Sequence, residues 1–211
     1  MGASPEVLQA TLTRARNLGL LGPGPIEPHL RHARGFAAAL REAGVPDPPS
    51  RVLDLGSGGG LPCLVLATDW PAATVVLLDA GERRAEFLRS AVVECGLGDR
   101  VEVWAGRAEA IGHEARARGA FDVVVARSFG PPPVTAECAA PLLRTGGVLV
   151  VSAPPAGAGE DRWSVEGLFE LGLSAPALVE GEFAYWVLEQ NRPCPERFAR
   201  RVGVPVKRPL F

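Results

Sequence analysis

Apolar positions recur along this chain at two periods, and the switches between them mark out its elements. Over residues 5–21, Val7, Leu8, Leu12 and Leu18 fall on one face of a helix. Gly22-Pro23-Gly24-Pro25 stops that helix. The pattern predicts a second helix over Pro28–Ala43, ended by Gly44, and a stiff connector at Pro46, Pro48 and Pro49. Short apolar runs then alternate with helical stretches. Strands are predicted at Arg51–Leu55, Thr74–Leu78, Val101–Trp104, Phe121–Ala126 and Val148–Ser152. Helices are predicted between them at Pro62–Asp69, Gly81–Cys95 and Val134–Leu143, the last followed by a turn at Gly146-Gly147. The unbroken valines of 121–126 suit a strand buried on both faces. Pro154–Asp161 reads as a loose segment, and Ala177–Glu182 and Phe183–Glu189 as a closing antiparallel pair.

Strands alternating with helices from 51 to 152 predict an α/β chain with a parallel sheet and helices on both faces. The organisation expected is a helical N-terminal cap (1–48), a core (49–190) and a C-terminal tail (191–211), folded as one domain. The 211 residues suffice for a full core, and 47% of them are apolar. No apolar run approaches the roughly 20 residues that span a bilayer. Met1–Ala10 lacks a basic start and an apolar stretch, so no signal peptide is expected. Four scattered cysteines, Cys63, Cys95, Cys138 and Cys194, form no metal-binding pair and read as reduced thiols of a cytoplasmic protein. The net charge of −2 hides an asymmetry. Residues 191–211 hold Arg192, Arg197, Arg200, Arg201, Lys207 and Arg208 against Glu196 alone, on an otherwise acidic body. Such a tail suits phosphate, or is simply a solvated end.

The chemistry concentrates after the first strand. Asp54-Leu55-Gly56-Ser57-Gly58-Gly59-Gly60-Leu61 turns from strand to helix on glycines, which let a ligand approach the backbone. In a doubly wound sheet that turn lies at the switch point beyond the strands' carboxyl ends. The dinucleotide spacing GxGxxG is not met, because Leu61 follows Gly60. GxGxG preceded by an acid fits S-adenosyl-L-methionine better, with Asp54 placed to orient an ammonium group. Taken alone, the run also fits any tight strand-to-helix turn. Asp79 stands 25 positions after Asp54 at the tip of strand two, where a carboxylate can accept from both ribose hydroxyls or cap the next helix. Gly106-Arg107-Ala108-Glu109 follows strand three, with small Ala108 leaving room for an adenine. Arg127 ends strand four, a cation facing the cleft for a carboxylate or phosphate, or for solvent. Trp104, Phe129 and Trp186 could stabilise a base that gains charge, or pack the core. His29 and His32 could meet RNA from the cap, or simply face solvent.

These residues resemble a known family. Asp54-Leu-Gly-Ser-Gly-Gly-Gly-Leu-Pro62, Gly106-Arg-Ala-Glu109, Val125-Ala-Arg127, Pro141-Leu-Leu-Arg-Thr-Gly-Gly147 and the proline- and base-rich ending Pro195–Leu210 are similar to ribosomal small-subunit RNA methyltransferase G, also called glucose-inhibited division protein B. The resemblance implies a Rossmann-like class I methyltransferase fold, with a mostly parallel seven-stranded sheet. It implies S-adenosyl-L-methionine as cofactor and methylation of a guanine N7 in 16S ribosomal RNA, free or in the small subunit. A monomer without metal, DNA or membrane partner is expected. Cofactor-binding residues are then Asp54, Gly56, Ser57, Gly58, Gly60, Leu61, Asp79, Ala108, Glu109 and Arg127, with Arg127 also catalytic. Two family features are absent. The cap motif His-x-x-Asp-Ser is reduced to His32-Ala33-Arg34-Gly35-Phe36, and Ala153-Pro154-Pro155 replaces a Lys-Gly after strand five. A small-molecule methyltransferase, or an inactive paralogue that binds RNA or cofactor, would also keep this scaffold.

Overall fold

A computed structural model describes residues 4–154 and 162–211. The expected loose segment 154–161 therefore lies outside the described residues except for Pro154. Strands β1 (Arg51–Leu55), β2 (Thr74–Asp79), β3 (Val101–Ala105), β4 (Phe121–Ala126), β5 (Leu143–Ser152), β6 (Ala177–Glu180) and β7 (Ala184–Glu189) form one sheet. Its order is β3-β2-β1-β4-β5-β7-β6. The first five strands run parallel, and β7 pairs antiparallel with β5 and β6. The chain reverses direction across the sheet between β1 and β4, which opens a crevice at their carboxyl ends.

Helices α1 (Pro5–Asn17), α2 (Glu27–Glu42), α3 (Cys63–Asp69) and α4 (Glu82–Glu94) cover one face. Helices α5 (Ala108–Ile111), α6 (Pro132–Ala139) and α7 (Val165–Leu171) cover the other, and α8 (Val204–Lys207) packs against α6. Leu8, Leu12, Phe36 and Leu40 of the cap share one buried cluster with Val52, Leu64 and Val75. The cap is thus continuous with the core. β4 is apolar on both sides, with Val123 and Val125 in one cluster and Val124 and Ala126 in the other. No described helix is long and apolar enough to cross a membrane.

The structure corrects the periodic reading in several places, and the helix expected over Val134–Leu143 ends at Ala139, with Leu143 already opening β5. α1 ends at Asn17 rather than near 21, because Gly19 turns the chain at φ +71°. Gly146-Gly147 is not a turn before β5 but lies inside it, where the pairing to β4 slips between Phe121 and Val123. A Cβ on Gly147 would sit 2.9 Å from the carbonyl oxygens of Arg144 and Phe121, so the slip needs glycine there. α7 was not anticipated. Its signals are local: Ser164 caps it by accepting from the Gly167 amide, and Gly172 ends it at φ +85°.

The C-terminal segment is not a solvated tail. Arg200 donates to both carboxylate oxygens of buried Glu137 at 2.6 and 2.8 Å. Arg118 reaches across to the carbonyls of Cys194, Pro195 and Phe198. Arg197 pairs with Glu170, and Arg192 lies over the Phe169 ring. Arg201, Lys207 and Arg208 form no ion pair among the described residues.

Candidate active site

A cleft of about 450 Å³ opens where β1, β2 and β4 end. Its floor is the glycine turn. Gly56 and Gly58 adopt φ +76° and +55°, and the Gly56 and Ser57 amides both donate to the Leu78 carbonyl, pinning the turn to β2. A Cβ on Gly56 would strike the Phe129 ring, so the absence of a side chain lets that aromatic close over the turn. Gly56, Ser57, Gly58, Leu61, Asp79 and Arg127 all line the cleft. Gly60 stands behind it, turning at φ +94° where a Cβ would strike Leu64.

Asp79 is 3% exposed and fully engaged. One oxygen accepts from the Gly58 amide at 2.9 Å, the other from the Gly81 amide at 2.8 Å and Arg84 at 3.2 Å. It thereby joins the glycine turn to the loop after β2. Asp54 is wholly buried behind the turn and does not line the cleft. Its Oδ2 accepts from the Cys63 amide at 3.1 Å, and its Oδ1 has no partner. Burial pushes its carboxyl up to about 7, against the pull of Cys63 and Arg127.

Arg127 donates to His29 Nδ1 at 2.8 Å, while its Nη1 is buried without a partner. Burial lowers its pKa, and a guanidinium stays charged regardless. The cap histidines differ. His29 meets Arg127, whereas His32 is wedged among Phe36, Phe183 and Tyr185, with its Nδ1 unpartnered. Burial, then the nearby Arg127 and His29, push His32 down to about 4. A Cβ on Gly35 would fall within the Tyr185 hydroxyl, which donates to the His32 carbonyl at 2.6 Å. Tyr185 thus occupies the space beside Gly35.

Like Asp54 and Gly60, two further expected residues are not brought to the cleft. Ala108 packs into the core beside Ile111, and the Glu109 side chain turns away, accepting from Arg107 at 2.9 Å and from the Gly203 amide at 3.0 Å. Arg107 lines the cleft instead. The proline–glycine punctuation of the sequence gave no sign that Gly19–Gly22 forms one wall of the cleft. Nor did it show that Ser128 would adopt φ +54° at its rim, a strained value of the kind that clusters at functional sites. Of the aromatic candidates, Phe129 lines the cleft. Trp104 packs edge-on to Phe121 beneath Arg116, away from it.

The sheet order, the switch-point cleft and the acid at the tip of β2 define a Rossmann-like α/β fold with its ligand cleft at the switch point. The O-methyltransferase from Bacillus cereus, solved in complex with SAH, has the same fold, with a TM-score of 0.59 at 19% identity over 88% of this chain and 90% of that one. The GidB family model, described as rRNA small subunit methyltransferase G, matches residues 34–153. The chain belongs to this family. It is 37% identical to ribosomal RNA small subunit methyltransferase G of Deinococcus radiodurans, over 86% of this chain and 74% of that protein. It is 40% identical to the Rubrobacter xylanophilus protein of the same name, over 97% and 80% of the two chains.

Proposed function

We propose that this protein is a cytoplasmic enzyme that transfers the methyl group of S-adenosyl-L-methionine to N7 of a guanine in 16S ribosomal RNA. Family membership and the cleft support the reading. The observation that carries it is the union of the glycine turn, Asp79 and Arg127 in one lining. That lining fits the cofactor. Asp79 would accept from the ribose hydroxyls, releasing its exposed partner Arg84. Arg127, which lines the cleft, would pair with the amino-acid carboxylate, and the backbone of the glycine turn would lie against the same arm. When bound, the cofactor supplies an electrophilic methyl group on a sulfonium.

Guanine N7 is an exposed lone pair with no proton to lose, so the protein need not supply a general base. Its task is to hold the acceptor in line and to exclude water, contributions worth about 7–11 kcal/mol in well-oriented systems. Phe129, closing over Gly56, excludes water from the turn. Arg127 fixes charge at the end of β4 and is itself steadied by His29. Tyr185 fills the space beside Gly35 in the same cap.

Two measurements test the proposal. Mass-spectrometric mapping of ribosomal RNA from a strain lacking this gene should show one 7-methylguanosine missing from 16S RNA, restored by the intact gene. An unchanged methylation map would refute the RNA assignment. By calorimetry, Asp79→Ala should weaken cofactor binding about 10- to 100-fold, roughly the loss of one or two hydrogen bonds to a charged group. Unchanged affinity would remove Asp79 from the site.

A further inference from the structure

The C-terminal segment is pinned to the body at two buried carboxylates. The Arg200 amide donates to Glu137 at 2.9 Å, and its guanidinium takes both Glu137 oxygens. The Gly203 amide donates to Glu109 at 3.0 Å. Glu109 in turn accepts at 2.9 Å from Arg107, which lines the cofactor cleft. Residue 203 therefore stands two hydrogen bonds from the cleft wall. Phe198, Ala199 and Pro205 are buried and hold the same segment down. The charges it turns outward have no such partners. Arg201, Lys207 and Arg208 are exposed and form no ion pair among the described residues. From Arg197 to Phe211 the sequence holds no acid. On other surfaces arginines meet acids, as Arg14 meets Glu94, Arg41 meets Asp47 and Arg144 meets Asp122.

We propose that Arg201, Lys207 and Arg208 form a grip for the RNA backbone, which Glu137 and Glu109 hold in place beside the cleft. The proposal rests on the methyl-transfer reading above and names a surface that meets the RNA away from the reacting nucleotide. Charge supports it. The chain carries −2 overall, so a polyanion must be met by a local excess of cations. Placement supports it too. A loose basic tail attracts phosphate without fixing where the strand lies, whereas cations on a pinned backbone set its register against the cleft. The anchoring points the same way: Glu137 and Glu109, both buried, each bond this one segment, and buried carboxylates are tolerated only when their lone pairs are met. Val202 and Val206, exposed between the cations, suit the sugar face of the strand. Phosphates are alike in every sequence, so the grip adds affinity and register and no choice of base.

The triple variant Arg201→Gln, Lys207→Gln and Arg208→Gln deletes the charges and keeps polar side chains. On small ribosomal subunits from a strain lacking the gene, its KM should rise about 10- to 100-fold, with kcat and calorimetric cofactor affinity unchanged. Binding to protein-free 16S RNA should weaken likewise. The slope of log affinity against log salt should shrink by about 2, from three phosphate contacts at roughly 0.7 each on a single strand. A matched triple variant, Arg14→Gln, Arg41→Gln and Arg144→Gln, removes the same charge from acid-paired positions and should leave KM and slope unchanged. Wild-type KM and salt slope in the first variant would overturn the proposal. An equal loss in the matched variant would overturn it as well, since net charge alone would then act. A loss on subunits without one on protein-free RNA would overturn it in favour of an acidic protein partner. Should the first variant fold poorly, Arg201→Gln and Lys207→Gln singly carry the test, each lowering the slope by about 0.7. A wild-type protein that binds cofactor but methylates no RNA would instead remove the parent reading.

Discussion

Two groups of buried carboxylates lie on opposite faces of this molecule, and they are treated differently. On the tail side Glu137, wholly buried, accepts two bonds from the Arg200 guanidinium and one from its amide. Glu109, 3% exposed, is likewise held by Arg107 and the Gly203 amide. On the cap side Asp54 is as deeply buried with a single donor, and Arg127 and His32 near it each keep an unpartnered nitrogen. A buried charge is tolerated when its lone pairs are met, as those of Glu137 and Glu109 are at the C-terminal joint. Incomplete satisfaction instead leaves the Asp54 carboxyl favouring its neutral form.

The comparison makes four predictions, in falling order of effect. Glu137→Ala should cost about 3 kcal/mol by leaving Arg200 without its partner, lowering Tm by roughly 6–12 °C for a chain of this size. A shift below 2 °C in calorimetry would show that the tail is not anchored there. Asp54→Asn should act through pH. The folded carboxyl titrates near 7 against about 4 when unfolded. The folded state therefore holds the proton more tightly, and stability falls as pH rises from about 4 to about 7 and is level above. The variant should lose this decline and exceed the parent at pH 8 by on the order of 2 kcal/mol in urea unfolding. Parallel pH slopes would contradict the burial argument.

His32 has the opposite sign. Its folded pKa of about 4 lies below the ordinary 6.5, so the stability it contributes is full above pH 6.5 and is lost as pH falls toward 4. His32→Phe should remove this acid loss, gaining about 1–2 kcal/mol at pH 4.5 over the parent. Because Asp54 and His32 pull against each other between pH 4 and 7, the parent's pH profile should be flatter than either variant's. The smallest effect is Glu109→Gln, about 1 kcal/mol. It keeps an acceptor for the Gly203 amide and loses only the charge shared with half-exposed Arg107. If its cofactor affinity fell more than its stability, Glu109 would belong to the site rather than to the joint.

Much of the cleft was legible in the chain because it depends on local chemistry. A glycine turn, an acid at a strand tip and an arginine at another are fixed by residue type and position along a strand. A parallel sheet then brings their ends to one edge, and Gly56, Gly58, Asp79 and Arg127 line one cleft there. Ala108 and Glu109 had the same local credentials, yet their side chains serve the core and the C-terminal joint. The difference is rotational: a short helical turn at 108–111 decides which side chains face inward, and Glu109 ends up accepting from the Gly203 amide.

The amino-acid order by itself determined the α/β class, the strands, the position of the ligand turn and the family, since periodicity, glycine placement and motif spacing are properties of neighbours in sequence. Only tertiary structure decided that the basic C-terminus spends Arg200 on Glu137, that Tyr185 fills the space beside Gly35, and that two tryptophans 23 positions apart share a cavity next to the cleft. Those facts depend on which groups burial brings together and which partners it leaves them, and no spacing along the chain encodes that.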